Sequence, residues 1–377
     1  MFDSSEWLNT DLNTFEIGPY DYRLQAPMKL SLKADGELIV SAAIETGFLH
    51  KGVEKALEIQ KWRASIAYAD RLDSSAAVFA ELALCLGVEE IIMLPVPPRA
   101  QKIRIILSEL NRISSHLACV AAVARSTGAL AVMHHVLRDR EQVLDLLELV
   151  SGARFSPNFL RFGGVKEDVS DGFIEKMIET CETILIRLKE YDKTLIFSDT
   201  FIGRAKKVGL IEKKLANETG MTGPNAKATG LMYDVRSSSP YSGYADIDIN
   251  VPLAPAGHEH LGDAYARILI RIQEIATSID ILKQAAEKMP IGDFCSKKPE
   301  DEIIVPRGEA YIRVESSRGL LGCHVVSDGG PTPARIQFRT PSMAGVMALP
   351  KVLPGNKLDD LSVILSSMDL GMSEVDK

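Results

Sequence analysis

The pattern of apolar residues in the middle of the chain constrains its fold more than any other feature. After Gly47 the apolar residues recur at intervals of three and four, and this spacing continues to about residue 290. The pair Pro97-Pro98 opens one long stretch of this kind, and proline is favoured in the first turn of a helix. A further long helix is predicted over residues 263–288. The middle of the chain is therefore predicted to be a helical bundle.

Strand patterns lie on both sides of this bundle. Residues 28–44 alternate between apolar and polar side chains around the turn Asp35-Gly36, which predicts a β-hairpin. Beyond residue 290, the segments 309–330 and 334–340 are typical of short strands joined by glycine turns. We therefore predict an α+β protein with a central helical bundle, an N-terminal β-hairpin and a small C-terminal antiparallel sheet. Its segments are 1–47, 48–290 and 291–377, all within one domain.

The composition excludes several classes of protein. Hydrophobic residues make up 46% and charged residues 25% of the 377, as in an ordinary soluble globular protein. The formal net charge of -8 and the absence of a long basic run argue against a nucleic-acid partner. The five cysteines are odd in number and form no CxxC pair, so reduced thiols are expected rather than a disulfide framework or a compact sulfur metal site.

The first residues and the apolar runs bear on localisation. The start MFDSSEWLNTDLN lacks the basic region and the apolar run of a signal peptide, so we expect the protein to stay in the cytosol. The apolar stretches 113–124 and 126–137 are separated by Arg125 and are shorter than the roughly 20 residues that span a bilayer. Any membrane association is therefore expected to come through a partner.

Short motifs alone do not assign an activity. The two histidines of His258-Glu259-His260 would face one side only on a strand, and a solvated loop is favoured over a metal site. The pairs Gly163-Gly164 and Gly329-Gly330 are not part of a phosphate-binding motif, and tight turns explain them. No serine with the flanking pattern of a nucleophile is present.

Charged residues occur inside the helical patterns at an unusual density. A buried ion without a partner is costly, so these residues either form solvated faces or pair with one another around a polar pocket. Arginine suits buried ion pairs and hydrogen bonds to anions, which favours the pocket, but the sequence leaves both interpretations open. The residues are Arg71, Asp73, Glu109, Arg112, Arg138, Glu141 and Asp145.

Seven sequence blocks carry a resemblance to a known family. They are TGFLHKGVEK (46–55), VPPRAQKIRIILSELNRISSHL (96–117), RDREQVLDLLELVSGARF (138–155), FLRFGGV (159–165), ESSRGLLG (315–322), VSDGGP (326–331) and SSMDLGMSEVDK (366–377). In this order they resemble the D subunit of NADH-quinone oxidoreductase, respiratory complex I. The blocks are spread over most of the chain, so the resemblance covers the whole fold.

That family is homologous to the large subunit of nickel-iron hydrogenases, so the resemblance implies a hydrogenase-like fold. In hydrogenases two CxxC pairs hold the metal, and the corresponding positions here are Asp73, Ala76, Gly371 and Glu374. None of these is a thiolate, and soft sulfur ligands are what such a centre requires. Hydrogenase chemistry is therefore excluded on ligand grounds, and no metal is expected on this chain.

The resemblance implies a peripheral-arm subunit of a complex I type NADH-quinone oxidoreductase, with no cofactor of its own. A small B-type partner would carry the terminal iron-sulfur cluster, and the two would form the site where electrons pass to quinone, coupled to ion translocation. A C-type subunit and membrane-arm subunits are further implied partners, on the cytoplasmic side of a bacterial-type inner membrane. Arg71 would lie near the cluster, where a cation stabilises the reduced state, with Asp73 as its counterion.

Three positions depart from the family's quinone headgroup residues. Gln25 replaces a histidine, Ser74 a tyrosine, and Ser126 an aspartate that lies behind the histidine. Ser156 similarly replaces a histidine on the cluster side. Quinone reduction needs protons near the headgroup, and glutamine and serine cannot supply them at neutral pH. The catalytic residues therefore stay unassigned.

Two hypotheses follow. In the first, the pocket still takes quinone, which receives its protons from water or from a partner's side chain. In the second, the chain is a structural or coupling subunit of a related ion-translocating complex that has lost quinone chemistry. The chain also lacks a helical segment that the family carries between residues 290 and 309, where a subunit contact is expected to differ. The electron donor, NADH or a ferredoxin, is left open.

Overall fold

Helices form most of the part of the chain that the structure describes. The structure is a computed structural model that describes residues 12–254, 261–296 and 303–377. The candidate histidines His258 and His260 lie outside the described residues, as does the segment 1–11. The helices are α1 (Val53–Ile59), α2 (Trp62–Ala69), α3 (Ala77–Ile92), α4 (Pro98–Ser126), α5 (Leu130–Ser151), α6 (Phe173–Tyr191), α7 (Asp199–Ala205), α8 (Lys213–Glu218), α9 (Gly223–Ala228), α10 (Val235–Ser238), α11 (Ala264–Glu287), α12 (Pro341–Val352), α13 (Leu361–Met368) and α14 (Met372–Asp376).

The two longest helices, α4 and α11, form the centre of the predicted bundle. Helix α4 begins at Pro98, where the missing backbone N–H costs nothing in the first turn. Helix α11 begins after Asp263, whose side chain accepts a hydrogen bond of 2.8 Å from the backbone N–H of Ala266. Helix α4 packs against α11 and α5 and also contacts α3 and α13. The central helical bundle is therefore confirmed.

The strands form two three-stranded antiparallel sheets and one short ribbon. The N-terminal hairpin is confirmed, but a third strand, β1, pairs with β2 and was not predicted. Four of the five residues of β1 are exposed, so its sequence carries no alternation of apolar and polar side chains. The strands are β1 (Asn13–Ile17), β2 (Lys29–Asp35), β3 (Leu38–Glu45), β4 (Leu160–Arg161), β5 (Gly164–Val165), β6 (Gly308–Ser316), β7 (Gly319–Ser327) and β8 (Arg335–Arg339).

The predicted C-terminal antiparallel sheet is also confirmed, and it packs on α3. Its strand order is β6-β7-β8, and β6 and β7 form a hairpin whose last pair joins Ser316 to Gly319. A glycine permits the close approach of helix and sheet, because a Cβ atom at Gly87 would lie 2.8 Å from Cγ2 of Val325. Helix α3 therefore packs closely against strands β6 and β7.

The two ends of the chain meet in a second hydrophobic core. Apolar residues of β2 and β3 pack with those of α12 and α13, apart from the main core of the bundle. Polar contacts close the junction: the Asp376 carboxylate accepts hydrogen bonds from the backbone N–H groups of Gly47 (2.8 Å) and Leu49 (2.9 Å). The segment after β3 is therefore held against α14.

A network of ion pairs fills the interior of the bundle. Arg236 donates to the carboxylates of Glu109 (3.0 Å) and Asp234 (2.8 Å). Lys227 lies 2.7 Å from both Asp234 and Glu274. All five side chains are at most 1% exposed, so each charge depends on its partners for the stabilisation that water would otherwise give.

The charged residues singled out in the sequence therefore divide between the two interpretations. Glu109 and Arg112 are fully buried and paired with each other at 3.1 Å. Glu141 and Asp145 are more than half exposed and pair with Arg154 at the surface. The interpretation as a polar interior is confirmed for Glu109 and Arg112. It is wrong for Glu141 and Asp145, which form a solvated face.

Replacing Lys227 by methionine should destabilise the fold strongly. The variant leaves the Asp234 and Glu274 carboxylates buried without this cation, and breaking a buried pair in this way typically costs about 3–5 kcal/mol. Lys214→Met is the matched control, because that side chain is 84% exposed and its loss should change the free energy of unfolding by less than about 0.5 kcal/mol. Urea denaturation measures both variants, and equal values would contradict this role of the network.

Candidate functional site

The segment between α2 and α3 carries the charged residues that drew attention in the sequence. Asp73 is buried and accepts hydrogen bonds from the backbone N–H (3.0 Å) and the hydroxyl (2.8 Å) of Ser75. This local turn is the kind that aspartate forms ahead of a helix, and it directs the chain into α3. Asp73 thus faces the interior, whereas Arg71 and Ser74 are exposed.

The partner of Asp73 is Arg318, which lies in the turn between β6 and β7. Its guanidinium donates to the Asp73 carboxylate, to the hydroxyl of Ser75 at 2.9 Å and to the backbone carbonyl of Asp369 at 2.7 Å. Burial alone would lower the pKa of Arg318, but the negative charges of Asp369 and Asp73 outweigh it and raise that pKa. We call Asp73, Ser75, Arg318, Asp369 and Glu374 the Arg318 centre.

The expected pairing of Asp73 with Arg71 is therefore wrong. Only Leu72 separates them, but Arg71 projects from the end of α2 to the surface while Asp73 turns inward. Arg318 comes from a part of the chain 245 positions away, which no local pattern could indicate. The sequence signal that could have found it was the block ESSRGLLG, in which Arg318 is the only charge next to the predicted turn.

Three of the four positions that correspond to hydrogenase ligands, Asp73, Gly371 and Glu374, come together around Arg318. A Cβ atom at Gly371 would lie 3.0 Å from Oδ2 of Asp73, 3.2 Å from Arg318 and 3.2 Å from Cγ of Glu374. The positions thus surround a guanidinium cation instead of offering thiolates to a metal. A nickel-iron centre does not fit these residues.

Glu374 is a further buried carboxyl group in the Arg318 centre. The sequence did not single it out for a role. Its Oε1 accepts a hydrogen bond of 3.1 Å from the backbone N–H of Ser342. Burial, and next the negative charge of Asp73, raise the pKa of Glu374 to about 7, although Arg318 opposes the rise. The Arg318 centre therefore includes a group that can exchange a proton near neutral pH.

Gln25 and Ser126, the residues predicted at two headgroup positions, are joined through a third residue. The Gln25 amide donates to the hydroxyl of Ser366 at 2.9 Å, and the hydroxyls of Ser366 and Ser126 lie 2.6 Å apart. We call these three residues the Ser366 cluster. Ser366 lies in the block SSMDLGMSEVDK, but its contact with Gln25 spans 341 positions and could not be read from the sequence.

A cavity of about 490 Å³ opens beside the Ser366 cluster. Ser126 lines it, together with the arginines Arg23, Arg125 and Arg204. The Arg125 side chain is exposed and forms no hydrogen bond or ion pair with the described residues. The cavity can hold a small molecule and offers it hydroxyls and cations. In the part of the chain that the structure describes, its lining includes no histidine, and Tyr22 is its one tyrosine.

Ser74 does not join this arrangement. It is exposed, and in the described ranges no hydrogen bond links its side chain to the Ser366 cluster. The structure thus brings together two of the three predicted headgroup positions and leaves the third on the surface of the segment that contains Arg71. Ser156, the replacement on the cluster side, is buried near the backbone of Asp70.

A cationic face lies next to the Arg318 centre. The Lys51 ammonium contacts the backbone carbonyl of Arg71 at 2.5 Å and the hydroxyl of Ser373 at 2.8 Å. Partial burial lowers the pKa of Lys51; the charge of Arg71 adds to this effect and Asp73 opposes it. Lys51 and Arg71 therefore present two positive charges on one exposed surface.

Comparison with known proteins shows the relatives of this chain. The family described as the 49 kDa subunit of respiratory-chain NADH dehydrogenase matches residues 126–304 and 297–377. A protein of Desulforamulus reducens, named as the D subunit of NADH-quinone oxidoreductase, is 37% identical over 98% of this chain and 99% of its own length. One from Thermus thermophilus, named as subunit 4 of NADH-quinone oxidoreductase, is 34% identical over 100% of this chain and 96% of its own.

A solved structure is similar in fold. It is a chain of the membrane-bound sulfane sulfur reductase, described as an archaeal respiratory membrane complex, with a TM-score of 0.92 and 33% identity. The similarity covers 98% of this chain and 100% of the other. The predicted fold class thus agrees with a protein of closely similar structure.

Replacing Arg318 by methionine should destabilise the protein by about 3–5 kcal/mol, because it leaves the buried Asp73 and the partly buried Asp369 without their cation. Adding Asp73→Asn should restore part of the loss, since the pair interacts directly. Arg313→Met on the neighbouring strand β6 is the control, because Arg313 is exposed. Denaturant unfolding of the two single variants, the double variant and the control gives the coupling energy. Additive effects would show that Arg318 and Asp73 do not stabilise each other.

Proposed function

The chain belongs to the family of the 49 kDa subunit of respiratory-chain NADH dehydrogenase, and from this premise we propose that it forms, with a cluster-bearing partner, the site where electrons pass to quinone, coupled to ion translocation. Its relatives support its being a subunit of a complex I type respiratory oxidoreductase. On its own the chain carries no complete active site, because the electrons must come from another subunit.

The proposed place of the chain in such a complex is the peripheral arm. Within the described ranges, no helix has both the length and the apolar character that a membrane span requires. We assign it to the cytoplasmic side of a bacterial-type inner membrane, next to a small B-type subunit that carries the iron-sulfur cluster, a C-type subunit and membrane-arm subunits.

The observation that carries the proposal is the Ser366 cluster beside its cavity. Two positions at which related proteins would hold a quinone headgroup are far apart in the sequence, yet their side chains meet through one hydroxyl. A cavity of about 490 Å³ next to them is within the usual size range of sites for small molecules. That two of the three headgroup positions meet beside a cavity supports the proposal, although their residue types have changed.

The cationic face is the proposed contact with the partner's cluster. Lys51 and Arg71 are exposed and close to one another, and a positive charge near an iron-sulfur cluster stabilises its reduced, more negative state. Arg318 lies behind this face and is neutralised by its own carboxylates. The free positive charge is therefore directed outward, where the partner would bind.

The reduction of a quinone also takes up two protons, and the residues of the Ser366 cluster cannot provide them. Hydroxyl and amide groups donate hydrogen bonds but do not ionise near neutral pH. They can hold the headgroup carbonyl in place while water in the open cavity, or a side chain of a partner, supplies the protons. Binding and proton supply are thus separated in this protein.

One observation favours a second function. The three members of the Ser366 cluster hydrogen-bond to one another, so they need no headgroup to satisfy them. The relative of known structure belongs to a complex named for sulfane sulfur reduction. The second candidate is therefore a structural or coupling subunit of a related ion-translocating complex in which quinone is not the acceptor.

Quinone reduction by the purified complex tests the proposal. The wild type should reduce a short-chain quinone, and Gln25→His should do so faster, because a positioned acid group typically accelerates a proton-dependent step by about 10²–10⁴-fold. The added imidazole titrates, so the variant should also acquire a new dependence of its rate on pH.

The control is Ser41→His, which places the same side chain on an exposed position of β3. It should leave the quinone reduction rate of the wild type unchanged. A complex that transfers electrons to an artificial dye but never to quinone, with or without the substitution at Gln25, would exclude the first function and favour the second.

A further inference from the structure

Two carboxyl groups meet in the interior at the point where α2 and α3 approach one another. Asp70 follows the last residue of α2, and Glu81 lies in the second turn of α3. Both side chains are 0% exposed. Their carboxyl groups are close enough to hydrogen-bond to each other. They belong neither to the Arg318 centre nor to the Ser366 cluster.

Most of the oxygens of this pair lack a well-formed hydrogen bond. Oε2 of Glu81 accepts from the backbone N–H groups of Phe159 and Leu160, each at 3.0 Å. Oε1 of Glu81 and both carboxylate oxygens of Asp70 are buried and accept no well-formed hydrogen bond, although the charge of Arg71 and the backbone N–H of Asn158 are near enough to oppose the rise in the pKa of Asp70. Buried polar atoms are nearly always satisfied, so these three oxygens require an explanation.

A shared proton supplies that explanation. Two ionised carboxylates accept hydrogen bonds but cannot donate one, so they bond to each other only if one of them is protonated. Two adjacent buried carboxyl groups also cannot both ionise without a large cost in repulsion and desolvation. Burial raises the pKa of Asp70 to about 6, and burial followed by the charge of Asp70 raises the pKa of Glu81 well above its ordinary value.

No cation of the surrounding elements takes the place of this proton among the described residues. Arg71 comes from the same segment as Asp70 but its side chain is exposed. Arg161, from the segment after α5, donates to the carbonyls of Asn158 and Leu160, and Arg104 of α4 pairs with Glu89 of α3. The remaining titratable neighbour on α3 is the buried thiol of Cys85, whose pKa burial raises. The charges nearby are thus already paired or point away.

We propose that Asp70 and Glu81 share one proton and form a proton-binding site that responds to the charge on the partner's iron-sulfur cluster, an inference that rests on the proposed function. Asp70 is adjacent in sequence to Arg71, on the face where that cluster would bind. When the cluster gains an electron, the added negative charge favours uptake of a second proton from water, and the pair becomes neutral. When the electron leaves, that proton returns to water.

The site would thus store a proton on the electron-donor side of the reaction. The Ser366 cluster has no acid group, so the chain would hold its exchangeable protons away from the acceptor, at this pair. The backbone N–H groups of Phe159 and Leu160 fix Glu81, which keeps the two carboxyl groups together in each protonation state. The pair acts through electrostatic coupling to the partner's iron-sulfur cluster. Neither carboxyl group touches the electron acceptor.

Infrared difference spectroscopy of the purified complex tests the shared proton. At neutral pH the wild type should show a carboxylic acid C=O band that shifts in D₂O, and difference spectra against Asp70→Asn and Glu81→Gln should both contain that band. Each amide donates the missing hydrogen permanently, so both variants should fold. The matched control is Glu175→Gln, an exposed carboxyl on α6, which should leave the band in place.

Stability as a function of pH provides an independent readout. Carboxyl groups whose pKa is raised on folding stabilise the folded state at low pH and lose that contribution as the pH rises through about 6. The contribution of Asp70 to stability should therefore be lost between about pH 4 and 6, with a further loss at higher pH because the pKa of Glu81 lies well above its ordinary value, and Glu81→Gln should reduce this slope. Absence of the band, or slopes that are equal in wild type and variant, would overturn the shared proton.

Reduction of the complex tests the coupling. The band attributed to the pair should grow when the cluster is reduced, and this change should be lost in Asp70→Asn and Glu81→Gln but retained in Glu175→Gln. A band that is present yet identical in the oxidised and reduced complex would overturn the redox response. Failure of the quinone assay is a separate result, because the band in the oxidised complex does not depend on the acceptor.

Discussion

The buried ion pair between Arg318 and Asp73 is the interaction on which the rest of the candidate site depends. It joins the turn of the C-terminal sheet to the start of α3, and through Asp369 it also holds the segment that leads into α14. A buried arginine is tolerated only where carboxylates and carbonyls meet its donors, so these segments cannot separate without exposing or isolating a charge. The same guanidinium occupies the place at which hydrogenase-type ligands would converge on a metal.

The groups that could bind the acceptor and the groups that could exchange protons lie in different parts of the site. The Ser366 cluster offers hydroxyls and an amide, which bind and orient but do not ionise near neutral pH, and the cavity beside it is lined by three guanidinium groups and by the carboxyl group of Asp359. The buried carboxyl groups whose pKa is raised lie elsewhere in the site: Glu374 in the Arg318 centre, and Asp70 with Glu81 next to Arg71. Protons are thus proposed to be stored near the electron donor, while the neutral groups of the Ser366 cluster hold the acceptor.

The fold could be predicted from the sequence wherever local spacing determines structure. Helix α4 followed from its apolar periodicity and Pro98, and the β2–β3 hairpin from alternation around Asp35-Gly36. Strand β1 could not be predicted because it is short and exposed. The contacts within the site could not be predicted either, because Gln25 meets Ser366 and Asp73 meets Arg318 only after distant parts of the chain come together. The resemblance located the positions, but only the structure gave their partners.

A structure of the assembled complex with bound quinone tests the central claim most directly. We predict that the partner's iron-sulfur cluster faces Lys51 and Arg71, and that the quinone headgroup occupies the cavity beside Ser126. We also predict that the headgroup hydrogen-bonds to a hydroxyl or amide of the Ser366 cluster and to water, and to no acid group of this chain. A cluster bound at another face, or a cavity filled by a side chain of a partner, would contradict this claim.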